Sequence, residues 1–374
     1  MRTVVHGQDS WLVTGFAEVE KTLKFPTNTV QPRPGEHPAH IGEGPASEFY
    51  RLSMPSTDAP AHTRLRKLVA PAFQPRAVTR MRSWVEELII VGLDELSQHD
   101  GEVDFVHDFA MKVPARIACR LLHAPMEDAG TVLQRVPALN AIFSQSDLTS
   151  EQLAEADEVA QFYFDYIGDI VDTLRGKVGD DDAVGALINA EAAGDRLSRN
   201  ELVVTLVGFF IASYHTTMMA MTNVVNSTAR FPDQYRLLAG DPTLAAAAWE
   251  ENLRFDTPIH FLWRYAGEGL ELDGTPIPQG SHLLLGLAAA NRDPRRFDNP
   301  DVFDLSRPDN RHLSFTAGSH YCIGAPLSRL EGDILLRELP KRLPNLEVLE
   351  ENPPRFPDLI FPTITRLTVA PQGR

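Results

Sequence analysis

Cysteine is almost absent. Cys119 and Cys322 are the only two in 374 residues, and they form no CxxC pair, so neither a disulfide framework nor a thiolate zinc site is indicated and a reducing compartment is expected. Positive charge is scarce as well: Lys and Arg number 35 against 51 Asp and Glu, a formal net charge of −16. That balance repels nucleic-acid phosphates and anionic lipid, so neither is an expected partner. The N-terminal residues carry no apolar run of signal-peptide length, and a cytoplasmic location is expected. Leu202 to Val225 is long enough to test as a membrane span, but Ser213, His215, Thr216, Thr217, Thr222 and Asn223 interrupt it. A buried helix is the better reading, with Ser198 and Glu201 spaced as a capping box at its start. HExxH, a complete GxGxxG, GxxxxGK(S/T) and GxSxG are also missing. Zincins, nucleotide-binding enzymes and serine hydrolases of the common types are thereby set aside.

What is present is an ordinary globular composition, 43% hydrophobic and 23% charged. Trp11 to Thr14 reads as a short strand, and residues 26–57, with Pro26, Pro32, Pro34, Pro38, Pro45 and Pro55, read as a loop-rich stretch. From Asp58 to about Asp195 the pattern is mostly helical, with apolar residues at helical spacing in Val85 to Leu96 and Phe162 to Leu174. After Arg254 the texture changes. Residues 270–272, an Asp-Gly turn at 273–274, then 275–277 and 281–285 read as strands. No repeat or low-complexity linker divides residues 1–374, so one domain is expected, mainly α with a small β region.

The chemistry concentrates in Phe315-Thr316-Ala317-Gly318-Ser319-His320-Tyr321-Cys322-Ile323-Gly324. A helix follows at once, with Pro326 near its start and Leu327, Leu330 and Ile334 on one face. A cysteine at a helix N-terminus gains free backbone N–H groups and the positive end of the dipole, and the flanking glycines let backbone approach the sulfur. That is what a metal-ligating thiolate needs, although a lone cysteine is more often an inert buried one. Three further patterns stand out. In Asp58-Ala-Pro60-Ala-His62-Thr-Arg64-Leu-Arg66, His62 and Arg66 share a helix face; Glu251-Asn-Leu-Arg254 holds an i,i+3 ion pair; and Ala290-Asn291-Arg292-Asp293-Pro294 precedes the cysteine segment.

The cysteine segment resembles the haem-binding loop of cytochromes P-450, Phe-Gly-x-Gly-x-His/Arg-x-Cys-x-Gly, with Thr316 in place of one glycine. The other patterns fall in that family's order from about Trp11 onward. The resemblance implies the cytochrome P-450 fold, a single triangular-prism-like domain holding haem b, with Cys322 as axial thiolate to the iron. It implies that His62, Arg66, Arg264 and His320 bind the haem propionates and that Ala212, Phe315 and Gly324 border the haem. Glu251 and Arg254, joined by Arg307, would form a buried structural pair beneath it. Substrate would meet Gly208, Ile211, Ala212, Ile259, His260 and Leu262, with Phe361 of Leu-Ile-Phe at 359–361 closing the pocket. The implied activity is that of a bacterial-type soluble, monomeric monooxygenase. It would act on a small or medium apolar molecule in secondary metabolism or catabolism, with electrons from NAD(P)H through ferredoxin reductase and ferredoxin.

Two departures stand against the family pattern. The central helix of the family usually reads Ala-Gly-x-Asp/Glu-Thr, and here it reads Ala212-Ser213-Tyr214-His215-Thr216. The alcohol that relays protons is kept in Thr216, and the acid has become His215. A histidine titrating near neutrality can serve as the relay, or His215 is a hydrogen-bonded core residue and protons enter otherwise. The missing acid also leaves room for a haem-thiolate enzyme that uses peroxide or performs coupling, rearrangement or dehydration. A non-catalytic haem-binding protein is the remaining alternative, and the retention of Thr216 argues against it. The second departure is a lead-in helix that family members usually carry ahead of the strand matched by Trp11 to Thr14 and that is not matched here. Finally, Ala59 to Val85 holds Arg64, Arg66, Lys67, Arg76, Arg80 and Arg82 and no acid, a local positive patch that would steer an acidic ferredoxin.

Overall fold

The longest apolar stretch of the chain folds as its longest helix, and the rest of the architecture is arranged around it. The computed structural model describes residues 1–5, 8–33, 35–37, 41–143, 148–180, 182–192 and 197–373; Pro34 and Pro38 of the proline-rich stretch, and Asp195, lie outside the described residues. In chain order the first elements are strands β1 (Arg2–Val5) and β2 (Gln8–Val13), then helices α1 (Phe16–Lys24), α2 (Pro45–Leu52), α3 (Ala61–Val69) and α4 (Pro75–Ser97). Strand β3 (Val103–Asp104) leads to α5 (Lys112–Leu121), α6 (Ala129–Leu133), α7 (Val136–Asn140), α8 (Ser150–Leu174) and α9 (Ala183–Ala192). The central helix is α10 (Arg199–Arg230), followed by α11 (Pro232–Gly240) and α12 (Ala245–Phe255). Strands β4 (Phe261–Tyr265), β5 (Leu270–Leu272), β6 (Thr275–Ile277) and β7 (His282–Gly286) come next. Helices α13 (Leu287–Ala290) and α14 (Ala325–Arg342) and strands β8 (Glu347–Val348) and β9 (Thr368–Ala370) complete the chain.

The capping box forms as the spacing predicts. Glu201 N donates to Ser198 Oγ at 3.2 Å and Ser198 N donates to Glu201 Oε2 at 2.9 Å, which satisfies two of the free N–H groups at the start of α10. Among the described residues α10 is the one helix long and apolar enough to cross a membrane, and most of its apolar stretch is buried inside the protein. It packs against α5 and α8, while α14 packs against α4 and α12. A four-stranded sheet in the order β1-β2-β7-β4 stands beside the helices, with β2 and β7 parallel and the other pairs antiparallel. Its β4–β7 register sets Arg264 opposite Leu283. Two smaller sheets are β3-β9-β8 and the β5-β6 hairpin closed by the Asp273-Gly274 turn.

Two expectations need correcting. The strand expected at Trp11–Thr14 is β2 and runs over Gln8–Val13, because pairing with β1 extends it toward the N-terminus. The proline-rich stretch is not all loop. Pro45 opens α2, at a helical position whose N–H would be unpaired anyway, and Pro55 sits in a short 3-10 turn over Met54–Ser56.

The approach of α14 to α12 depends on a missing side chain. A Cβ on Gly332 would lie 2.0 Å from Trp249 Cδ2, and Trp249 is itself fully buried. Gly332→Ala is therefore expected to destabilise the fold by about 1–3 kcal/mol through overpacking, seen as a lowered thermal midpoint. An unchanged midpoint would show that the two helices separate without cost.

Candidate active site

The cysteine loop is shaped by its backbone before any ligand is considered. Cys322 N donates to Phe315 O at 2.9 Å and Thr316 N to Leu313 O at 2.8 Å, which folds residues 313–322 into a compact hairpin-like loop. Thr316 and Gly318 both take left-handed backbone, with φ of 60° and 73°. Glycine is excused from the cost of that conformation and a β-branched residue is not; the penalty is about 1–2 kcal/mol. Thr316 offsets part of it by donating its hydroxyl to His320 O at 2.8 Å, so the departure from the family's glycine is accommodated locally. At Gly318 no side chain fits, because a Cβ would lie 2.5 Å from Leu23 O. The loop delivers half-buried Cys322 to the start of α14, where the backbone N–H groups of Gly324 and Ala325 hydrogen-bond its sulfur. Burial raises the thiol pKa; those two N–H groups and the guanidinium groups of Arg66 and Arg329 act against that rise.

Basic side chains converge on the same loop. His62 on α3 is buried and its ring stacks on His320, centroids 4.0 Å apart. Arg66, one turn further along α3, donates Nη2 to Tyr321 O at 2.7 Å. Arg264 on β4 is buried and donates Nη1 to Trp263 O at 2.7 Å. Burial, reinforced by the neighbouring positive charges, pushes the His62 pKa down to about 4 and holds His320 well below the usual histidine range; burial takes Arg264 down to about 10. The anion nearest Arg264 in this set is Asp58, whose carboxylate is already engaged by Val30 N and Gln31 N, each at 3.0 Å. His62 Nε2 is buried with no hydrogen-bond partner. A buried orphan nitrogen among cationic groups is the donor set a dicarboxylate requires, and the haem that the resemblance implies fits it: a sulfur ligand for iron and four donors for two propionates.

Beneath this loop lies a buried carboxylate hub. Glu251 and Arg254, one turn apart on α12 and fully buried, form a bidentate pair with both contacts at 2.8 Å. Arg307 Nε reaches the same carboxylate at 3.1 Å, Asn310 Nδ2 at 3.0 Å and Asp304 N at 2.9 Å. Arg254 spends its remaining donors on Asn291 O, Pro300 O and Val302 O. Asn291 carries the connection upward, since its Oδ1 accepts Leu313 N at 2.7 Å and its Nδ2 donates to Ser314 Oγ at 2.8 Å. Leu313 and Ser314 are the two residues before Phe315, so the hub fixes the entry to the cysteine loop.

On α10 residues 208, 212 and 216 form an open stripe, with Ser213 and His215 beside it half-buried. Gly208 and Thr216 are half-buried, Ala212 between them is exposed, and a Cβ on Gly208 would meet nothing within 4 Å. Thr216 Oγ1 donates back to Ala212 O at 2.8 Å. Ile211 does not share the stripe; it is buried in the main core. His215 has both ring nitrogens engaged, Nδ1 3.1 Å from Asn140 Nδ2 and Nε2 3.4 Å from Thr363 Oγ1, and burial lowers its pKa to about 4. The sequence reading missed an acid that lies close by. Glu331 on α14 is fully buried, accepts Thr217 Oγ1 at 3.3 Å and leaves Oε1 unpaired; burial pushes its pKa up to about 8. The signal was available, because Glu331 falls on the same helix face as Leu327 and Ile334, an acid in an apolar stripe.

Of the remaining positions, Ile259 and Leu262 pack at the edge of the sheet-side core. His260 is half-buried and its N donates to Ile360 O at 2.9 Å, which ties it to the segment bearing Phe361. In the basic stretch Arg64 pairs with Glu201 and Arg82 with Asp333, whereas Lys67, Arg76 and Arg80 are exposed.

Removing one partner of the hub leaves a buried charge undercompensated, a loss of about 3–5 kcal/mol. Arg254→Ala is expected to abolish retention of haem in purified protein, and Arg307→Lys, which keeps charge but loses the planar fork, to reduce it. Wild-type haem content in Arg254→Ala, measured by the Soret-to-protein absorbance ratio, would disprove the hub's role.

Comparison with known proteins agrees with this geometry. The pattern for "Cytochrome P450" matches residues 242–358. The 6-deoxyerythronolide B hydroxylase of Saccharopolyspora erythraea is 34% identical over 350 residues, covering 91% of this chain and 85% of its own length. The cytochrome P450 monooxygenase PikC of Streptomyces venezuelae is 32% identical over 342 residues, covering 91% and 79%. Among solved structures, that of P450BioI in complex with hexadec-9Z-enoic acid ligated acyl carrier protein superposes with a TM-score of 0.90 at 28% identity, over 99% of this chain and 94% of that one. With the thiolate loop, the basic cluster and the buried hub in place, the chain belongs to the cytochrome P450 family and is a haem-thiolate monooxygenase.

Proposed function

We propose that this protein inserts one oxygen atom of dioxygen into a medium-sized, largely apolar substrate of polyketide type, with haem b held non-covalently in the cytoplasm. The arrangement that carries the reading is Cys322 at the head of α14, its sulfur met by two backbone N–H groups, beside four basic side chains that include a buried orphan nitrogen. The polyketide class is supported by the hydroxylase of 6-deoxyerythronolide B among the relatives, and the open stripe on α10 carries only small side chains at Gly208, Ala212 and Thr216. Cys119 is buried in the helical core, so Cys322 is the one cysteine at the site.

Bound haem would supply dioxygen activation, drawing two electrons in total; the chain's own residues hold the cofactor, exclude water and supply protons. His62, Arg66, Arg264 and His320 would take the propionates, and Cys322 Sγ the iron. In the proton path, Glu331 replaces the acid missing at position 215. Its carboxyl keeps a proton at neutral pH and is bonded to Thr217 Oγ1, next along α10 to Thr216. His215 is neutral at that pH and its nitrogens are occupied, so it is not the donor. A buried acid in reach of α10 supports dioxygen-driven turnover over the peroxide-driven and non-catalytic alternatives. Electrons would come from NAD(P)H through a reductase and an acidic ferredoxin docked on the exposed Lys67, Arg76 and Arg80 of a monomer.

Two outcomes follow. Glu331 stays protonated in the folded protein up to about pH 8, so coupled turnover is expected to fall as pH rises through that value. Glu331→Gln is expected to turn over about 10-fold or more slowly, release more hydrogen peroxide and lose that pH dependence. Equal coupling in the variant at pH 7 would place the donor elsewhere. Reversing Arg76 and Arg80 to Glu should slow reduction by ferredoxin about 10-fold at low salt, with the difference shrinking as salt is added, and leave the substrate-induced Soret shift as it was. Unaltered reduction would remove the docking face.

A further inference from the structure

Glu250, the neighbour of the buried hub carboxylate on α12, makes a second set of contacts at the cysteine loop. Arg329, on the second turn of α14, meets this carboxylate with the edge of its fork, Nε donating to Oε1 at 2.9 Å and Nη2 to Oε2 at 3.0 Å. Its third nitrogen, Nη1, donates to Tyr321 Oη at 3.1 Å. The guanidinium carbon lies 4.7 Å from the centroid of the Phe315 ring. One cation is thus held against both ends of the loop: Phe315, whose carbonyl accepts Cys322 N, and Tyr321, the residue before Cys322.

A third side chain backs the carboxylate. Ser314 N donates to His312 Nδ1 at 3.1 Å. A backbone N–H is only ever a donor, so Nδ1 is the acceptor and the ring proton sits on Nε2. That Nε2 lies 3.4 Å from Glu250 Oε2, and the His312 side chain is buried. Burial favours the protonated form of Glu250, but the contacts with His312 and Arg329 outweigh it and bring the pKa down to about 2, so the pair is ionic at neutral pH. The pair also has a direction. Its guanidinium touches Phe315 and Tyr321 of the loop, while its carboxylate is engaged by Arg329 and flanked by His312, so the cation faces the loop and the anion stands behind it. A single-contact cation would swing into solvent and be screened; a forked one keeps its place.

Resting on Cys322 as the iron's ligand, we propose that the Glu250–Arg329 pair sets the reduction potential of the bound haem. Glu250 is a positioning residue that holds the Arg329 charge against the cysteine loop, and that charge makes the iron easier to reduce. Reduction adds one electron beside the sulfur. A cation fixed on that side favours the added negative charge, and an anion opposes it. The field of Arg329 reaches the Cys322 sulfur, as the geometry requires.

The test is potentiometric titration of the haem Soret band, without substrate, in haem-loaded wild type, Arg329→Gln, Arg329→Lys, Glu250→Gln and Lys341→Gln. Arg329→Gln should lower the ferrous-to-ferric ratio at a given potential about tenfold, a shift of about 59 mV to the negative side for one electron. Arg329→Lys keeps the charge without the fork and should fall between wild type and Arg329→Gln. Glu250→Gln keeps an acceptor for Arg329 but removes the anion, and should move the ratio the other way by about threefold. Lys341→Gln removes the same charge farther along α14 and should stay within about twofold of wild type. A merely structural role would shift the Arg329 and Glu250 variants in the same direction. That result, an unmoved potential in Arg329→Gln, or an equal shift in Lys341→Gln would each overturn the proposal. Should Arg329→Gln fail to retain haem, the signs of the shifts in Arg329→Lys and Glu250→Gln decide alone. The reduced carbon-monoxide spectrum keeps the two readings apart. A wild type without the thiolate band would count against Cys322 as ligand, whereas a normal band with unmoved potentials counts against the ion pair alone.

Discussion

The structure turns on one buried carboxylate. Glu251 has no access to solvent, and its two oxygens are shared among Arg254, Arg307, Asn310 and the backbone of Asp304. A buried ion pair adds little net stability over a well-packed apolar core; what it confers is a single allowed arrangement, because every alternative leaves a charge unpaired. Here that specificity is spent on irregular chain. Residues 291 to 314 contain almost no regular structure after the short α13, and the carbonyls of Asn291, Pro300 and Val302 are held by one guanidinium. The cysteine loop inherits its position from that arrangement through Asn291, Leu313 and Ser314.

A second consequence is electrostatic. A protein of net charge −16 gathers two histidines and two arginines around one loop. Burial first, and then the charges of the two arginines, lowers the proton affinity of both histidines, so an anion joining the cluster would relieve it. The same low-dielectric interior treats acids in the opposite sense, and Glu331, without a cation beside it, retains its proton near neutrality. One interior thus gathers cationic groups around the cysteine loop and keeps a protonated acid beside α10.

Legibility followed sequence distance. The cysteine loop, the Glu251–Arg254 pair and the capping box at Ser198 are local patterns whose spacing carries their geometry, and each was readable from residues a few positions apart. The β5-β6 hairpin was readable for the same reason, through its Asp-Gly turn. Glu331 with Thr217, His215 with Asn140, and His215 with Thr363 join residues separated by 114, 75 and 148 positions, and no local pattern encodes such pairs. Helix α2 was hidden by its proline content, since Pro45 marks a helix start as readily as a loop. Ile211 was assigned to the pocket by resemblance; on α10 it is buried, whereas Gly208, Ala212 and Thr216 lie on the open face.

Cys322 is placed by this scaffold to be the thiolate ligand to haem iron. The most direct measurement is the reduced carbon-monoxide difference spectrum of haem-loaded wild type and Cys322→Ser. Wild type is expected to show the strongly red-shifted Soret band of thiolate ligation. Cys322→Ser is expected to lose that band, with haem still bound through His62, Arg66, Arg264 and His320. A red-shifted band that survives the substitution would mean that another residue ligates the iron.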